Sequence, residues 1–433
     1  LLWFSGALDR FEFSTWAWRV NAFAPRQKPA PNVKVVLVDQ ASLDWGAKEM
    51  GWSWPWPREV YASMLGFFKR GGAKVVAVDI LFTEPSVYGV ADDETLGAAF
   101  QNGRSVIGAA FYGRNRTTLP IPAVSNHAAV VANVSDEPDA DGVFRRATLW
   151  QSRNGQRIPS LGLAAWANGG VDSAGDSPPE LPVDEGNRLI LHFAGTNGMH
   201  ETYSAAAIIQ SEMRLQAHER PVVPPSVFSN AYVFVGYGAP GLMDLRPTPV
   251  SRIAPGVEIH ATVLDNLLTE RLLRDAPRPW ALVMTVLMAC LAADLVLRAK
   301  KTASNVLAFA VGLAAPVCVG TFAYAIGYWW PMFVGILAVL IALVGAVLLN
   351  YATEGRQKAF IKKAFRHYLG EEVIDQILED PARLKLGGEK RELTIFFSDI
   401  EKFSSFSERL DPTQLIGLLN EYLSEMGEII KEE

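Results

Sequence analysis

"WALVMTVLMACLAADLVLRAKK" (residues 280–301) runs through eighteen residues with one charge, Asp294, and ends on a basic cluster. Crossing the hydrocarbon of a bilayer takes about 20 apolar residues in a helix. Two more runs follow, "NVLAFAVGLAAPVCVGTFAYAIG" (305–327) and "MFVGILAVLIALVGAVLLNY" (332–351). Short loops join all three, which argues against buried core helices of a soluble domain. Residues 280–351 are therefore read as three transmembrane helices. Asp294 is expected to reach the interface or pair with a neighbouring helix, with a coupling role as the alternative.

Basic residues orient the spans. Arg298–Lys301 is basic, and so is "EGRQKAFIKKAFRH" after the third span. The loop between spans two and three is uncharged and carries Trp329 and Trp330, as an outer interface would. Everything after about Thr353 is expected in the cytoplasm, and the large region before Trp280 outside it. "LLWFSGALDRFEF" at the start is too short to span. Residues 1–9 are read either as the end of a first transmembrane helix or as part of a short amphipathic helix.

Outward from the spans, composition narrows the choices. The 433 residues allow two or three domains, and 49% hydrophobic content is high for a soluble protein. A net charge of -6 gives no hint of nucleic-acid binding, and no basic cluster suggests it. Cys290 and Cys318 both lie in apolar runs, so neither a disulfide framework nor a cysteine metal site is expected.

Residues 31 to about 270 alternate between strand-like and helix-like patterns. "VKVVLVD" (33–39), "AKVVAVDI" (73–80), "SVIGAAF" (105–111) and "AYVFVGY" (231–237) are continuous apolar runs, as in a parallel sheet buried on both faces. "WPREVYASMLGFFKRGG" between the first two reads as a helix, with Pro57 in its first turn and Gly71-Gly72 at its end. Together they predict a βαβ unit. "PGVEIHATVLDNLLTERLL" (255–273) is predicted to be a helix running directly into the first span. Asp39 and Asp79 end two strands. Ligands of open α/β sheets bind at that edge, so a sensing pocket there stands beside the plainer alternative that each carboxylate caps the next helix. "DADGVFRR" (139–146) lacks the later ligand positions of a calcium loop and reads as a turn before an arginine-bearing strand.

"WPWPREVYASMLGFFKRGGAKVVAVDILFTEPS", "NVSDEPDADGVFRRATL", "IPSLGLAAW" and "PGVEIHATVLDNLL" occur in that order. Over residues 10–275 they resemble the CHASE sensor of the second type, a bacterial extracytoplasmic domain joined to cyclases, histidine kinases and other outputs. The resemblance implies one span before the domain and three after it. It names no ligand.

Beyond the spans, "YATEGRQKAFIKKAFRHYLGEEVIDQILEDPARLKLGG" is read as a helical linker over residues 352–386. Phe360, Ile361, Ala364, Phe365 and Tyr368 share one face. That face suits a parallel coiled coil between protomers, or packing on its own domain. "ELTIFFSDI" (392–400) reads as a buried strand with Leu393, Ile395 and Phe397 on one face. "DPTQLIGLLNEYLSEMGEII" (411–430) reads as an amphipathic helix with Asp411 as N-cap and Pro412 at its first position. A carboxylate at the strand end, Asp399, is able to hold Mg²⁺. The turn from Glu401 to Ser404 enters a helix whose first N–H groups suit phosphate.

"LKLGGEKRELTIFFSDIEKFSSFSERLDPTQLIGLLNEYLSEMGEII" is similar to the opening of a class III nucleotidyl cyclase catalytic domain. The resemblance implies that Asp399 is the first metal-binding and catalytic aspartate and that the Ile400 carbonyl also meets metal. It places Glu401, Lys402, Phe403 and Ser404 in the turn that cradles the triphosphate. Lys402 stands where glycine is common, and Ser404 where threonine is common. The family uses two Mg²⁺ (or Mn²⁺) ions, shares its active site across a homodimer, and releases pyrophosphate. Its second aspartate, base-reading residues and Asn/Arg pair lie further along than Glu433, so the chain is expected to be a truncated piece of a longer one.

The expected architecture is a multi-domain membrane protein. An α/β extracytoplasmic sensor (10–279) is followed by three spans (280–351), the linker (352–386) and the start of an α/β, ferredoxin-like cyclase domain (387–433). The expected function is a receptor adenylate cyclase of the bacterial inner membrane, making cyclic AMP from ATP in response to an unknown extracytoplasmic ligand. A guanylate cyclase, or a sensor with an inactive cyclase-like end used for dimerisation, is the alternative.

Overall fold

The computed structural model describes residues 6–103, 105–113, 116–153, 155–170, 181–195, 200–299, 301–365, 392 and 394–432. The chain divides into two compact units, residues 1–353 and 354–433.

The first unit is built on a parallel sheet. Its parallel strands are β1 (Val33–Val38), β2 (Val75–Val78), β3 (Val106–Tyr112), β4 (Val130–Asn133), β5 (Glu201–Ser204) and β6 (Tyr232–Tyr237). They lie in the order β5-β1-β6-β2-β3-β4, all parallel. The four apolar runs of the sequence are thus strands of one sheet. Its two faces divide the apolar side chains by alternation. Val36, Val38, Val76, Val78, Val233 and Val235 enter one core, and Val33, Val35, Val75, Ala77, Tyr232 and Phe234 enter the other.

The longer helices before β6 are α1 (Asp9–Phe23), α2 (Gln40–Glu49), α3 (Arg58–Gly71), α4 (Val90–Asn102), α5 (Leu161–Asn168) and α6 (Ala205–Gln216); α7 (Val257–Thr269) follows it. Helices α3, α4 and α6 cover the first face, and α5 and α7 the second. Gly72 ends α3 in the left-handed region at φ 77°, as its position in the sequence suggests. Pro57 sits one residue earlier than expected, as the N-cap of α3. The βαβ reading is also amended. Strand β6 lies between β1 and β2 and bonds to both, so the crossover through α2 and α3 skips one strand position.

Among the described residues, three helices are long and apolar enough to cross a membrane: α8 (Arg278–Arg298), α9 (Thr302–Ala325) and the first part, Phe333–Thr353, of α10 (Phe333–Phe365). They pack through small residues, with Gly312 against Ala292 and Gly320 against Met332. Asn350 Nδ2 donates to the Val296 carbonyl at 3.1 Å, meeting a carbonyl near the end of α8. Asp294 pairs with Arg298 of its own helix at 2.8 Å rather than with a neighbouring helix. Cys290 and Cys318 are free thiols.

The junction between sheet and spans differs from the continuous helix expected. Helix α7 stops at Glu270, which is left-handed (φ 53°). An extended stretch follows, in which Arg274–Asp275 pairs in parallel with Tyr328–Trp329 of the loop between α9 and α10. Helix α7 is buried as far as Leu267, and its exposed end at Glu270 turns the chain away from a continuous helix. Helix α1 completes the joint. Trp16 stacks on Trp329 with ring centroids 3.6 Å apart, and Phe11 on Phe333 at 4.8 Å. Glu12 accepts hydrogen bonds from the Met332 and Phe333 N–H groups, each at 2.8 Å, and so caps the start of α10. Arg19 pairs with Glu12 at 3.1 Å, donates to the Trp330 carbonyl at 2.8 Å and lies over the Trp329 ring. The first described helix begins at Asp9; residues 1–5, on which the reading of an earlier span rests, lie outside the described residues.

In the second unit, helix Pro412–Glu432 forms as its pattern predicts. Asp411 caps it, accepting from Thr413 N at 3.2 Å through its side chain and from Leu415 N at 2.9 Å through its carbonyl. The strand expected at 392–400 is not formed: residues 394–400 have no regular structure, and Phe396 and Phe397 are 66% and 89% exposed. A strand needs a partner to bond its backbone, and none lies beside this one among the described residues. Of the linker's apolar face, Phe360 is exposed and Tyr368 lies outside the described residues, as does Leu393 of the expected strand.

Candidate functional site

Two places carry chemistry, one in each unit. In the second unit, Asp399 is exposed at the end of the apolar run, followed by half-buried Ile400. The chain then turns: Phe403 N donates to the Ile400 carbonyl at 3.2 Å, and Ser405 N to the Lys402 carbonyl at 2.9 Å. A short helix, Phe403–Ser407, starts there. Lys402 adopts φ 60°. That left-handed conformation is the one glycine takes without steric cost, which gives a physical reason for glycine being common at this place. Lys402 Nζ lies 3.4 Å from Glu401 Oε1. The structure thus brings Asp399, Ile400, Glu401, Lys402, Phe403 and Ser404 into one turn. The Asp399 carboxylate and the Ile400 carbonyl are hard oxygens of the kind Mg²⁺ takes.

In the first unit, the two strand-end aspartates part ways. Asp39 is a helix cap: its Oδ1 accepts from Ser42 N at 2.8 Å and from Ser204 Oγ at 3.1 Å. Asp79 instead lines a cavity of about 260 Å³ at the carboxyl edge of β2, β3, β4 and β6. This is the edge where open parallel sheets bind ligands. Asp136, Asp244, Arg246 and His260 reach the same cavity, with Phe111, Phe144 and Tyr237 among its apolar walls.

Electrostatics there are unusual. His260 Nε2 is 3.8 Å from Asp79 and Nδ1 is 3.9 Å from Asp136, both beyond hydrogen-bond range. Burial pushes the Asp79 carboxyl up to about 7, partly offset by Arg246. Burial, with the neighbouring Asp79 charge, raises Asp244 to about 6. Asp136 is raised by burial against the opposing pull of His260, and His260 is lowered by burial. Desolvation disfavours the charged form of each group.

Sequence reasoning found Asp79 and missed its companions. They come from separate segments, so no spacing links them. The one local sign is His260, flanked by apolar Ile259 and Ala261 in a helix buried along nearly its whole length. Gly162 helps place it. A Cβ there would stand 2.5 Å from the His260 carbonyl oxygen, so only glycine lets α5 approach α7 this closely. "DADGVFRR" resolves as read: Gly142 turns at φ 80°, and Arg145 takes Asp141 in a two-pronged pair at 2.8 and 2.7 Å and Asp139 at 3.0 Å.

Comparison with known families agrees with this division. The CHASE2 domain model matches residues 1–295, and the adenylate and guanylate cyclase catalytic domain model matches residues 388–433. No curated protein and no solved structure gave a match. With its sheet, its following apolar helices and a match over residues 1–295, the chain belongs to the CHASE2 domain family and carries the start of a nucleotidyl cyclase catalytic domain.

Proposed function

We propose that the protein is a membrane receptor adenylate cyclase, with the CHASE2 unit outside the cytoplasm and the cyclase unit within it. One observation carries this reading: the CHASE2 match ends within the first of the helices able to cross a membrane, and the cyclase match begins after the third. The basic residues support the sidedness. Arg298 and Lys301 lie at the end of the α8–α9 pair opposite to the Trp329 loop that meets α1. We assign the sensor to residues 10–279, the spans to 280–351, the linker to 352–386 and the cyclase start to 387–433.

In the cyclase unit, Asp399 and the Ile400 carbonyl would hold divalent metal, Mg²⁺ or Mn²⁺. Bound metal supplies charge stabilisation to the attacked phosphate and to the attacking ribose oxygen. Glu401–Ser404 would form the wall of the triphosphate site, and the Lys402 ammonium would face the phosphates electrostatically. A homodimer would complete the site, as the family resemblance implies. ATP is favoured over GTP because sensors of this type usually accompany adenylate cyclases.

Membranes bearing the protein with its whole catalytic domain should form cyclic AMP from ATP. Cyclic GMP from GTP alone would replace the substrate, and neither product would favour an inactive, dimerising end. Reporter fusions after Lys301 and after Thr353 should both report cytoplasm; an external signal from either would overturn the sidedness.

A further inference from the structure

The cavity beneath Asp79 holds more negative charge than the protein around it balances. Three carboxylates, Asp79, Asp136 and Asp244, face it beside one cation, Arg246, whose Nε is 3.4 Å from Asp244. Buried polar groups are normally hydrogen-bonded within the protein. Here Asp136 accepts from Thr148 N at 2.7 Å, but the Asp79 carboxylate accepts no hydrogen bond among the described residues. His260, only 4% exposed, lines the cavity with an Nδ1 that has no partner. That Nδ1 lies 3.9 Å from Asp136, and Nε2 of the same ring lies 3.8 Å from Asp79, gaps too long for hydrogen bonds, and such groups cost stability unless something enters to join them.

Three carboxylates against one guanidinium disfavour an anion. Geometry speaks against a metal ion, since no three His, Cys, Asp or Glu side chains among the described residues are placed to share one. The walls add a third constraint. Phe111, Phe144 and Tyr237 supply apolar and aromatic surface of the kind that receives the body of an organic cation. The volume of about 260 Å³ corresponds to roughly nine water molecules at ~30 Å³ each, which suits a small molecule.

We propose that this cavity binds a small organic amine, with its ammonium between Asp79, Asp136 and His260 and its apolar body on the aromatic wall. The inference rests on the reading of this unit as the sensor and names the chemistry it senses. The ammonium replaces the missing hydrogen-bond donors of Asp79 and balances the acidic excess. Affinity depends on the ionised form of Asp79. The groups facing that carboxylate are His260 from α7, Asp136 from the loop after β4, Tyr237 at the end of β6, and Asp244 with Arg246. Asp79 is held near 7, so binding weakens about tenfold from pH 8 to pH 6 as this carboxyl takes up its proton.

The test is calorimetric titration of the detergent-solubilised protein with 2-phenylethylamine, with 2-phenylethanol as its neutral counterpart and calcium chloride as competitor. Saturable amine binding is expected, at least tenfold tighter than the alcohol, weakened tenfold or more in Asp79→Asn and lost in step with falling pH. Asp244→Asn, at the same cavity, should weaken binding in the same direction and guards against a misfolded first variant. No amine binding, equal affinity for the alcohol, or an unaffected Asp79→Asn would overturn the proposal. So would calcium displacing the amine through Asp79. Binding is read without cyclase turnover. Amine binding with no change in cyclic nucleotide output would therefore refute the receptor reading alone.

Discussion

Two apolar strand patterns in this molecule meet opposite fates. In the first unit Val35 and Phe234 are 0% exposed, sealed between layers of helices. In the second unit Phe397, in an equally apolar run, is 89% exposed. Local sequence is similar in the two places; partners are not. A strand is stabilised by neighbours that bond its backbone and cover its faces, and the first unit supplies both from within residues 33–267. The cyclase segment shows which residues share a turn, while its apolar run stands uncovered.

The joint between sheet and spans should give the largest stability effect. Glu12→Ala removes the partner of buried Arg19 together with the cap of α10. Stranding a buried charge in this way costs about 3–5 kcal/mol. A thermal-shift measurement should show a large fall in Tm, and an unchanged Tm would mean that α1 is not anchored as described. Next comes a direct contrast of the two strand patterns. Phe234→Ala should destabilise the first unit by about 3–5 kcal/mol, whereas Phe397→Ala should leave its unfolding unchanged. Equal effects would break the contrast. Gly162→Ala comes third, at about 1–3 kcal/mol from overpacking against α7.

A pH dependence completes the set. Asp79 titrates near 7 in the folded protein and near 3.9 when unfolded. Between those values the folded state binds more protons, so stability falls as pH rises from about 4 to about 7. Thermal shifts across that window should show the decline, and Asp79→Asn should flatten it. A wild-type slope retained in the variant would assign the effect to another group.

Much of the fold was legible in the sequence because it rests on short-range patterns. The apolar runs at 33–39, 73–80, 105–111 and 231–237 needed only β-branched residues between turns. The spans needed only length and low charge. Strand order was not legible, since nothing near β1 shows that β6, almost 200 residues later, lies beside it. The break after Thr269 was hidden because Glu270 takes a left-handed conformation there without glycine to mark it. The same holds for the cavity. Asp79 could be suspected from its place at a strand end, but His260, Asp136 and Asp244 meet it only through the fold. In the cyclase unit the turn around Asp399 was legible through family resemblance, and Lys402 at φ 60° shows why that turn prefers glycine.

Cyclic nucleotide formation by an Asp399→Ala variant is the most direct check on the proposed function. It should be assayed in membranes with the whole catalytic domain present and expression matched to wild type. Activity should fall to background while the amount of membrane-inserted protein stays unchanged. Activity retained near the wild-type level would contradict the assignment of Asp399 as a metal-holding carboxylate.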